Sequence, residues 1–266
     1  MFGLSLEMPP SEVGPRAKAA ALKAVEIDDS LAEAHAVLAS NMLAYEWAWS
    51  AAEKQFKRAL ELDPNSADTY WMYAHLHSNL GRHREALAEI ERARELDPIS
   101  GLINAMEGQF LLHAGRTDDA IVRLRETIEL DPKSRIAHLF AANAYIEKGL
   151  FADAVAEATN ARTLSPSNTQ ALAIEAYANA KLGRPAQARE ALRELLQLSN
   201  VRNVPRCNIA LIYNGLAEPG EALNWLERGV EQRDPWMWFL KVEPKWANLR
   251  DHPRFIRLLK RMNLYS

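Results

Sequence analysis

A 34-residue internal period constrains this chain more than any other feature of its sequence. One series of alanines recurs at that spacing: Ala52, Ala86, Ala120, Ala154, Ala188 and Ala222. A second series of small residues keeps the same spacing after a first step of 35: Ala39, Ala74, Gly108, Ala142, Ala176 and Ala210. Because the two series stay in phase, the chain reads as stacked copies of one unit that cannot bury its apolar face alone.

Each unit reads as a helix, a glycine turn, a second helix and a proline turn. Glycine just past the first helix favours a left-handed cap, and proline beyond the second helix prevents its continuation. The pattern predicts an all-α fold with six units: 32–66, 67–100, 101–134, 135–168, 169–202 and 203–236. The first unit is one residue longer than the others, and the insertion falls between Ala44 and Ser50.

The two ends of the chain depart from the period. Residues 1–31 are predicted to form a lead-in and a half-repeat helix, which begins at Pro15 and runs from Arg16 to Ile27. Residues 237–266 are predicted to form a C-terminal cap that ends in an amphipathic helix. Four aromatic residues are expected to cover the apolar face of the last unit: Trp236, Trp238, Trp246 and Phe255.

Composition excludes several classes of function. A net charge of −3 and a pI of about 6.2 lack the basic footprint of a nucleic-acid-binding protein. The single cysteine, Cys207, excludes an intrachain disulfide and a multi-thiolate metal site, and it favours a cytoplasmic location. Because no apolar stretch approaches the length of a membrane span and no signal peptide is evident, we expect no membrane association.

The units resemble the tetratricopeptide repeat. That repeat is a 34-residue helix-turn-helix with a small residue at position eight, glycine at fifteen, alanine at twenty and proline at thirty-two, and residues 16–236 follow this pattern. The resemblance implies a right-handed superhelix, an α solenoid, of about six units with a C-terminal capping helix.

A narrower resemblance concerns two stretches, Tyr45 to Tyr70 and Ile209 to Leu264. Both look like the C-terminal repeat segments of bacterial multidomain signalling proteins. In those proteins the repeats follow a winged-helix DNA-binding domain, a nucleotide cyclase domain or a Ser/Thr kinase domain.

The family presents certain positions of each first helix on a concave face that usually binds peptides. Mapped onto this chain, those positions combine apolar anchors with amides that can satisfy backbone polar atoms, as a groove for an extended or helical segment requires. The candidate groove residues are Trp71, His75, Asn79, Gln109, Leu112, His113, Leu139, Asn143, Ile146, Glu147, Tyr177 and Lys181. The alternative is that these side chains pack against neighbouring helices or face water.

Motifs for catalysis, cofactors and metals are missing from the sequence. It contains no phosphate loop, no Gly-x-Ser-x-Gly and no His-Glu-x-x-His, and Cys207 has no nucleophile motif around it. His75 and His77 lie two residues apart, so they point to different sides of a helix. The Lys-Asn-Arg clamp with which some family members hold a C-terminal carboxylate is also missing. We therefore predict no enzyme, no metal, no cofactor and no affinity for chaperone-tail peptides.

The sequence supports two functional hypotheses. The first is a non-enzymatic protein-protein interaction module that holds a peptide or protein segment in its concave groove. The second is a regulatory or sensory segment of a bacterial transcription regulator, nucleotide cyclase or kinase whose effector domain lies upstream. In either case the half-repeat could pair with a second chain, which predicts a weak homodimer.

Overall fold

The computed structural model describes residues 10–265, without the side chains of residues 10–12 and 235. All of the regular structure in this part of the chain is helical, which confirms the predicted all-α solenoid. The α-helices are α1 Pro10–Ile27, α2 Ala32–Asn41, α3 Trp49–Leu62, α4 Ala67–Leu80, α5 His83–Leu96, α6 Gly101–His113, α7 Thr117–Leu130, α8 Arg135–Glu147, α9 Phe151–Leu164, α10 Thr169–Lys181, α11 Pro185–Leu198, α12 Arg206–Gly215, α13 Pro219–Glu231 and α14 Pro253–Arg261. Residues 1–9 of the predicted lead-in lie outside the described residues.

Glycine ends the first helix of four units, as predicted. Gly81, Gly115, Gly149 and Gly183 have φ between 75° and 79°, a left-handed conformation that costs glycine little. At the first of these turns, the Arg82 amide donates to the His77 carbonyl at 2.9 Å, and the Gly81 amide donates to the Ser78 carbonyl at 2.9 Å. These bonds satisfy carbonyls that the helix end would otherwise leave without a partner.

The first unit accommodates its extra residue in a π-helical turn, Met42–Glu46. Trp47 follows this turn at φ 54° and takes the left-handed place that glycine occupies in later units. Its ring is buried, and the Arg233 guanidinium stacks over it at 4.4 Å from the ring centroid. Trp47 therefore replaces the simple glycine turn of later units and makes a contact with Arg233, near the other end of the chain.

The first helix begins earlier than the sequence predicted. α1 starts at Pro10, so Pro15 lies inside the helix, and the predicted start at Pro15 was wrong. Pro15 is the sixth residue of α1, just past the first turn, so it removes one intrahelical hydrogen bond near the start of the helix. Two contacts hold α1 on the first unit: Lys18 pairs with Glu46 at 2.7 Å, and the Asn41 amide donates to the Gly14 carbonyl at 2.9 Å.

Small residues set the distance between the paired helices. The periodic alanines are at most 1% exposed from Ala52 to Ala222. At Gly108 a Cβ atom would lie 2.5 Å from Leu124 Cγ, so only glycine permits this approach. The large side chains of the second helices fill the space between units and form one continuous apolar core.

Beyond α13 the chain crosses the first helices of the units, from Trp238 beside His75 in the second unit, through Lys245 beside Asn143 in the fourth, to Asn248 beside Asn214 in the sixth. We call residues 235–265 the C-terminal segment. It contains two 3₁₀ helices, Pro235–Phe239 and Pro244–Leu249, before α14. Its end reaches the first unit, where the Trp49 indole donates to the Met262 carbonyl at 2.7 Å and Asn263 donates to the Trp47 carbonyl at 3.4 Å.

The sequence analysis predicted that the aromatic residues of the C-terminal segment cover only the last unit, and that expectation was too narrow. Trp238 lies 4.9 Å, ring to ring, from His75 in the second unit. The curvature of the solenoid brings the sixth unit close to the first, and a 34-residue period carries no information about distances between units that are not adjacent. None of the helices in the described part of the chain combines the length and apolarity required to cross a bilayer.

Candidate functional site: the concave groove and the segment that fills it

The twelve candidate groove residues lie on α4, α6, α8 and α10, but few of them are accessible. Ten side chains are buried: Trp71, His75, Asn79, Gln109, Leu112, His113, Leu139, Asn143, Ile146 and Tyr177. The other two, Glu147 and Lys181, are exposed near the C-terminal ends of α8 and α10. Most of these positions therefore do not form an open surface. His75, His113 and Asn143 contact the C-terminal segment, and the apolar side chains pack into the continuous core. Whether these residues bind a partner stays a prediction.

Aromatic side chains of the segment pack on the histidines of the groove. The Phe239 ring lies 5.0 Å from the His75 ring and 5.4 Å from the His113 ring, measured between centroids. Trp238 meets His75 edge to face. These distances are typical of favourable aromatic pairs, which add to the free energy gained from apolar burial. Two predicted groove residues thus bind aromatic anchors of the same chain.

Polar groups of the groove bind the backbone and the lysines of the segment. Lys245 donates to the Asn143 side-chain oxygen at 3.0 Å, and Lys241 donates to the Leu80 carbonyl at 3.0 Å. Asn214 donates to the Lys245 carbonyl at 2.7 Å, so one amide satisfies a buried backbone acceptor. The sequence analysis missed Asn214, although it stands at position twelve of the sixth unit and the same positional rule would have found it.

A buried ion pair lies beside these contacts. Lys245 and Glu243 are 2.6 Å apart, and both side chains are largely buried. Removing either partner would leave an uncompensated buried charge. The pKa of Tyr177 is raised to about 12, first by burial and then by the carboxylates of Glu243 and Glu147. Burial and Glu243 also raise the pKa of Glu147.

The two groove histidines are neutral at physiological pH. Burial lowers the pKa of His75 and of His113 to about 3, and Lys245 contributes to the effect on His113. His113 Nδ1 lies 2.8 Å from Ser78 Oγ, and His75 Nδ1 lies 3.0 Å from the Asn79 amide nitrogen. Within the described residues, no group of three or more His, Cys, Asp or Glu side chains is arranged to hold a metal ion.

Buried Asp234 fixes the point where the segment leaves the repeats. One carboxylate oxygen accepts from the Arg206 amide at 2.5 Å and from the Cys207 amide at 3.4 Å, at the N-terminus of α12. The other accepts from the Trp236 amide at 3.3 Å. Burial raises the pKa of Asp234 to about 6, and burial together with this carboxylate raises the pKa of the Cys207 thiol. A thiol with a raised pKa is a poor nucleophile.

The remaining candidate residues have structural roles. The Trp71 indole donates to Asp68 Oδ1 at 2.9 Å. Leu112, Leu139 and Ile146 belong to the continuous apolar core. The groove as a whole holds a segment of two 3₁₀ helices, and the contacts join histidines and amides of the groove to aromatic rings, lysines and a backbone carbonyl of the segment.

Two family models, both described as tetratricopeptide repeat, match the chain. One matches residues 48–105 and 111–159, and the other matches residues 139–205. Together they cover more than half of the sequence. No curated protein sequence matched the chain significantly.

Solved structures of similar fold include proteins of varied context. A chain of the APC/C hetero-tetramer Cut9-Hcn1 aligns with a TM-score of 0.64 at 19% identity, over 94% of this chain but only 46% of its own length. PilW, a type IV pilus biogenesis factor, aligns with a TM-score of 0.58 at 18% identity, over 86% of this chain and 98% of its own. PilF of Pseudomonas aeruginosa aligns with a TM-score of 0.55 at 20% identity, over 71% of this chain and 86% of its own. At these identities the likeness concerns the fold alone, and with the two family models it identifies the chain as a tetratricopeptide-repeat protein.

Proposed function

We propose that this chain is a non-enzymatic protein-interaction scaffold whose concave groove binds an aromatic-rich polypeptide segment. Tetratricopeptide repeats are generally protein-interaction modules. The observation that carries the proposal is that the groove already holds such a segment, residues 235–249 of its own chain. A partner with the same chemistry would compete for the same contacts.

The contacts of the segment define what a competing partner must offer. Phe239 and Trp238 supply ring contacts to His75, and the Lys245 backbone supplies a carbonyl to Asn214. Lys245 also supplies an ammonium group to Asn143. A suitable partner is therefore a segment that forms short 3₁₀ turns, with neighbouring aromatic residues followed by a lysine.

The intramolecular segment has a large advantage over any partner. Each fully buried aromatic or leucine side chain contributes about 1.5–3 kcal/mol, and tethering gives the segment a high effective concentration. Trp238, Phe239 and Leu240 are 9% exposed or less. We therefore expect the native chain to bind partner segments weakly, and more tightly once the docking of its own segment is weakened.

A labelled peptide of residues 234–250 tests this proposal in the full-length chain. The Trp238→Ala, Phe239→Ala double variant should bind the peptide at least about tenfold more tightly than the native chain in fluorescence anisotropy. Trp225→Ala is the matched control, because Trp225 stacks with Arg228 and lies outside the groove contacts. This control should bind like the native chain.

The milder variant Lys241→Met keeps the proposal testable if the double variant unfolds. It removes the contact to the Leu80 carbonyl, breaks no buried ion pair and retains an apolar side chain of similar length. An intermediate gain in peptide affinity is expected. A folded variant, shown by circular dichroism, that binds the peptide no better than the native chain would mean that the segment is permanent core and that the groove is not a peptide site.

The alternative role, a regulatory segment of a larger bacterial regulator, cyclase or kinase, stays a prediction. Coding sequence that continues in frame upstream of Met1 would support it. The cytoplasmic location, inferred from the single cysteine, is also a proposal, and fractionation of cells that express the native chain would test it.

A further inference from the structure

A short junction, residues 232–234, joins the C-terminal segment to the repeats. Just after α13, Arg233 takes the left-handed conformation at φ 55°. The Asp234 amide donates to the Gly229 carbonyl at 2.9 Å, and the Arg233 amide donates to the Val230 carbonyl at 3.3 Å. The glycine turns after the earlier first helices have the same pattern of hydrogen bonds, so the junction makes a glycine-type turn with an arginine.

The turn at the junction is unfavourable for arginine. The left-handed conformation brings Cβ close to the following carbonyl oxygen, and only glycine and, less readily, asparagine and aspartate tolerate it well. Neither glycine nor proline stands between Val230 and Asp234. α13 could therefore continue through Gln232 and Arg233 in the ordinary right-handed conformation, and this continuation would carry the segment away from the groove of its own chain.

The contacts that anchor the segment lie on units far along the chain from the junction. His75 in the second unit contacts Trp238, and Trp49 in the first unit donates to the Met262 carbonyl. A second copy of the chain presents the same groups in the same groove. The segment would repeat these contacts there, and only the conformation of the junction would differ.

The segment also buries enough apolar surface to hold two chains together. Stable protein interfaces use about 20–30 residues on each side, and residues 235–265 are at the upper end of that range. Its large apolar side chains that are at most 9% exposed are Met237, Trp238, Phe239, Leu240, Val242, Trp246, Leu249, Phe255, Leu258, Leu259, Met262 and Leu264. A reciprocal exchange would place two such interfaces in one dimer.

We propose that two copies of this chain exchange their C-terminal segments, so that the groove of each copy holds residues 235–265 of the other. Exchange of an identical element between copies is a low-cost route to a dimer. The inference rests on the proposed function in one respect, because the segment must be able to leave the groove of its own chain. Tethering gives the closed monomer an effective concentration of about 1 mM, so the exchanged dimer forms at high protein concentration or when the junction is altered.

A matched pair of variants at position 233 tests the exchange in the full-length chain. Arg233→Thr and Arg233→Asn both place a small polar residue there, and both remove the guanidinium contacts to the Trp47 ring and the Glu46 carbonyl. Asparagine tolerates the left-handed conformation, whereas a β-branched residue does not. Because a dimer contains two junctions, this penalty on the closed chain counts twice.

Sedimentation equilibrium of the two variants measures the effect. The dimer dissociation constant of Arg233→Thr should be at least about tenfold lower than that of Arg233→Asn. Arg233 is exposed, so neither change should unfold the protein, and circular dichroism checks this. Arg233→Val has the same branching as the threonine variant and should reproduce its dissociation constant.

Two outcomes would overturn the proposal. The first is a folded Arg233→Thr chain that stays monomeric up to about 500 µM, which would mean that the segment does not leave its own chain. The second is equal self-association of the threonine and asparagine variants, which would place the dimer interface elsewhere, as in the predicted pairing of half-repeats.

The labelled peptide of residues 234–250 separates failure of the exchange from failure of the groove as a peptide site. Peptide binding by the Trp238→Ala, Phe239→Ala variant, together with a monomeric Arg233→Thr chain, would remove the exchange alone. A dimer of Arg233→Thr that Arg233→Asn does not form, together with no peptide binding, would support the exchange and remove the groove as a site for other partners.

Discussion

The two ends of this solenoid differ in how far their apolar side chains are covered. At the C-terminal end, a segment without repeats folds back and buries Phe255, Met262 and Leu264, each at most 1% exposed. At the N-terminal end, Val37 is 43% and Leu22 is 39% exposed. Within residues 10–265 the C-terminal end is therefore closed by the chain itself, whereas the N-terminal end is open and leaves apolar side chains exposed.

The residues at the open end depart from the repeat pattern in a consistent direction. Leu31 stands where Ser66 and Ser100 cap the following first helices through their side chains. Leu22 stands in the register of Lys57 and Glu91, and it is 39% exposed. Apolar residues thus replace polar ones at these two positions near the N-terminal end of the described residues.

The largest expected effect comes from removing a residue at the closed end. Phe255→Ala should lower the free energy of unfolding by about 3–5 kcal/mol, because the ring is fully buried and the cavity would be only partly filled by relaxation. Urea denaturation at pH 7 measures this loss. Tyr265→Ala is the matched control near the same end. Tyr265 is 53% exposed, so its removal should cost less than about 1 kcal/mol.

Acid should destabilise the chain through the two groove histidines that contact the C-terminal segment. His75 and His113 have pKa values of about 3 in the folded chain, so the unfolded chain takes up protons first as pH falls below the ordinary value of 6.5. Each histidine therefore lowers stability by about 1.4 kcal/mol per pH unit in this range. Asp234 acts in the opposite direction between pH 6 and 4, because its raised pKa makes the folded chain take up a proton first.

The net expectation is a loss of about 3 kcal/mol between pH 6 and pH 4, measured by urea denaturation at four pH values. Asp234→Asn removes the opposing contribution and should make the pH dependence steeper. A native chain with the same stability at pH 6 and pH 4 would contradict the assignment of neutral, buried histidines at the closed end.

The smallest effect is expected at the open end. Leu22→Lys restores the polar residue type of the later units and should change the free energy of unfolding by less than about 0.5 kcal/mol, because the side chain packs on little. Thermal denaturation followed by circular dichroism measures it. A loss above about 1 kcal/mol would show that Leu22 is part of the core and that this end is closed.

The sequence predicted the repeated part of the fold because its causes are local. A glycine such as Gly81 determines a left-handed turn three or four residues from the groups it satisfies. Small residues such as Ala86 allow the two helices of the same unit to pack closely. Because the turn glycines and the small residues recur in successive units, each unit supports the structure predicted for the others.

The sequence could not predict the occupied groove because its cause is not local. The contacts between Phe239 and His75, or between Lys245 and Asn143, join residues more than a hundred positions apart and occur once. No period marks them. The sequence predicted that Asn143 lies on the inner wall. It could not predict that Lys245 binds there, because that contact depends on how far the solenoid curves.

The hydrogen bond between Trp49 and the Met262 carbonyl has a consequence for biosynthesis. Most tetratricopeptide units complete their contacts with immediate neighbours and can fold as they leave the ribosome. Here Trp49 pairs with a residue made 213 positions later, and His75 on the inner wall pairs with Trp238 and Phe239, made more than 160 positions later. Until translation ends, the nascent chain exposes the histidine-lined surface to chaperones and to any competing polypeptide nearby.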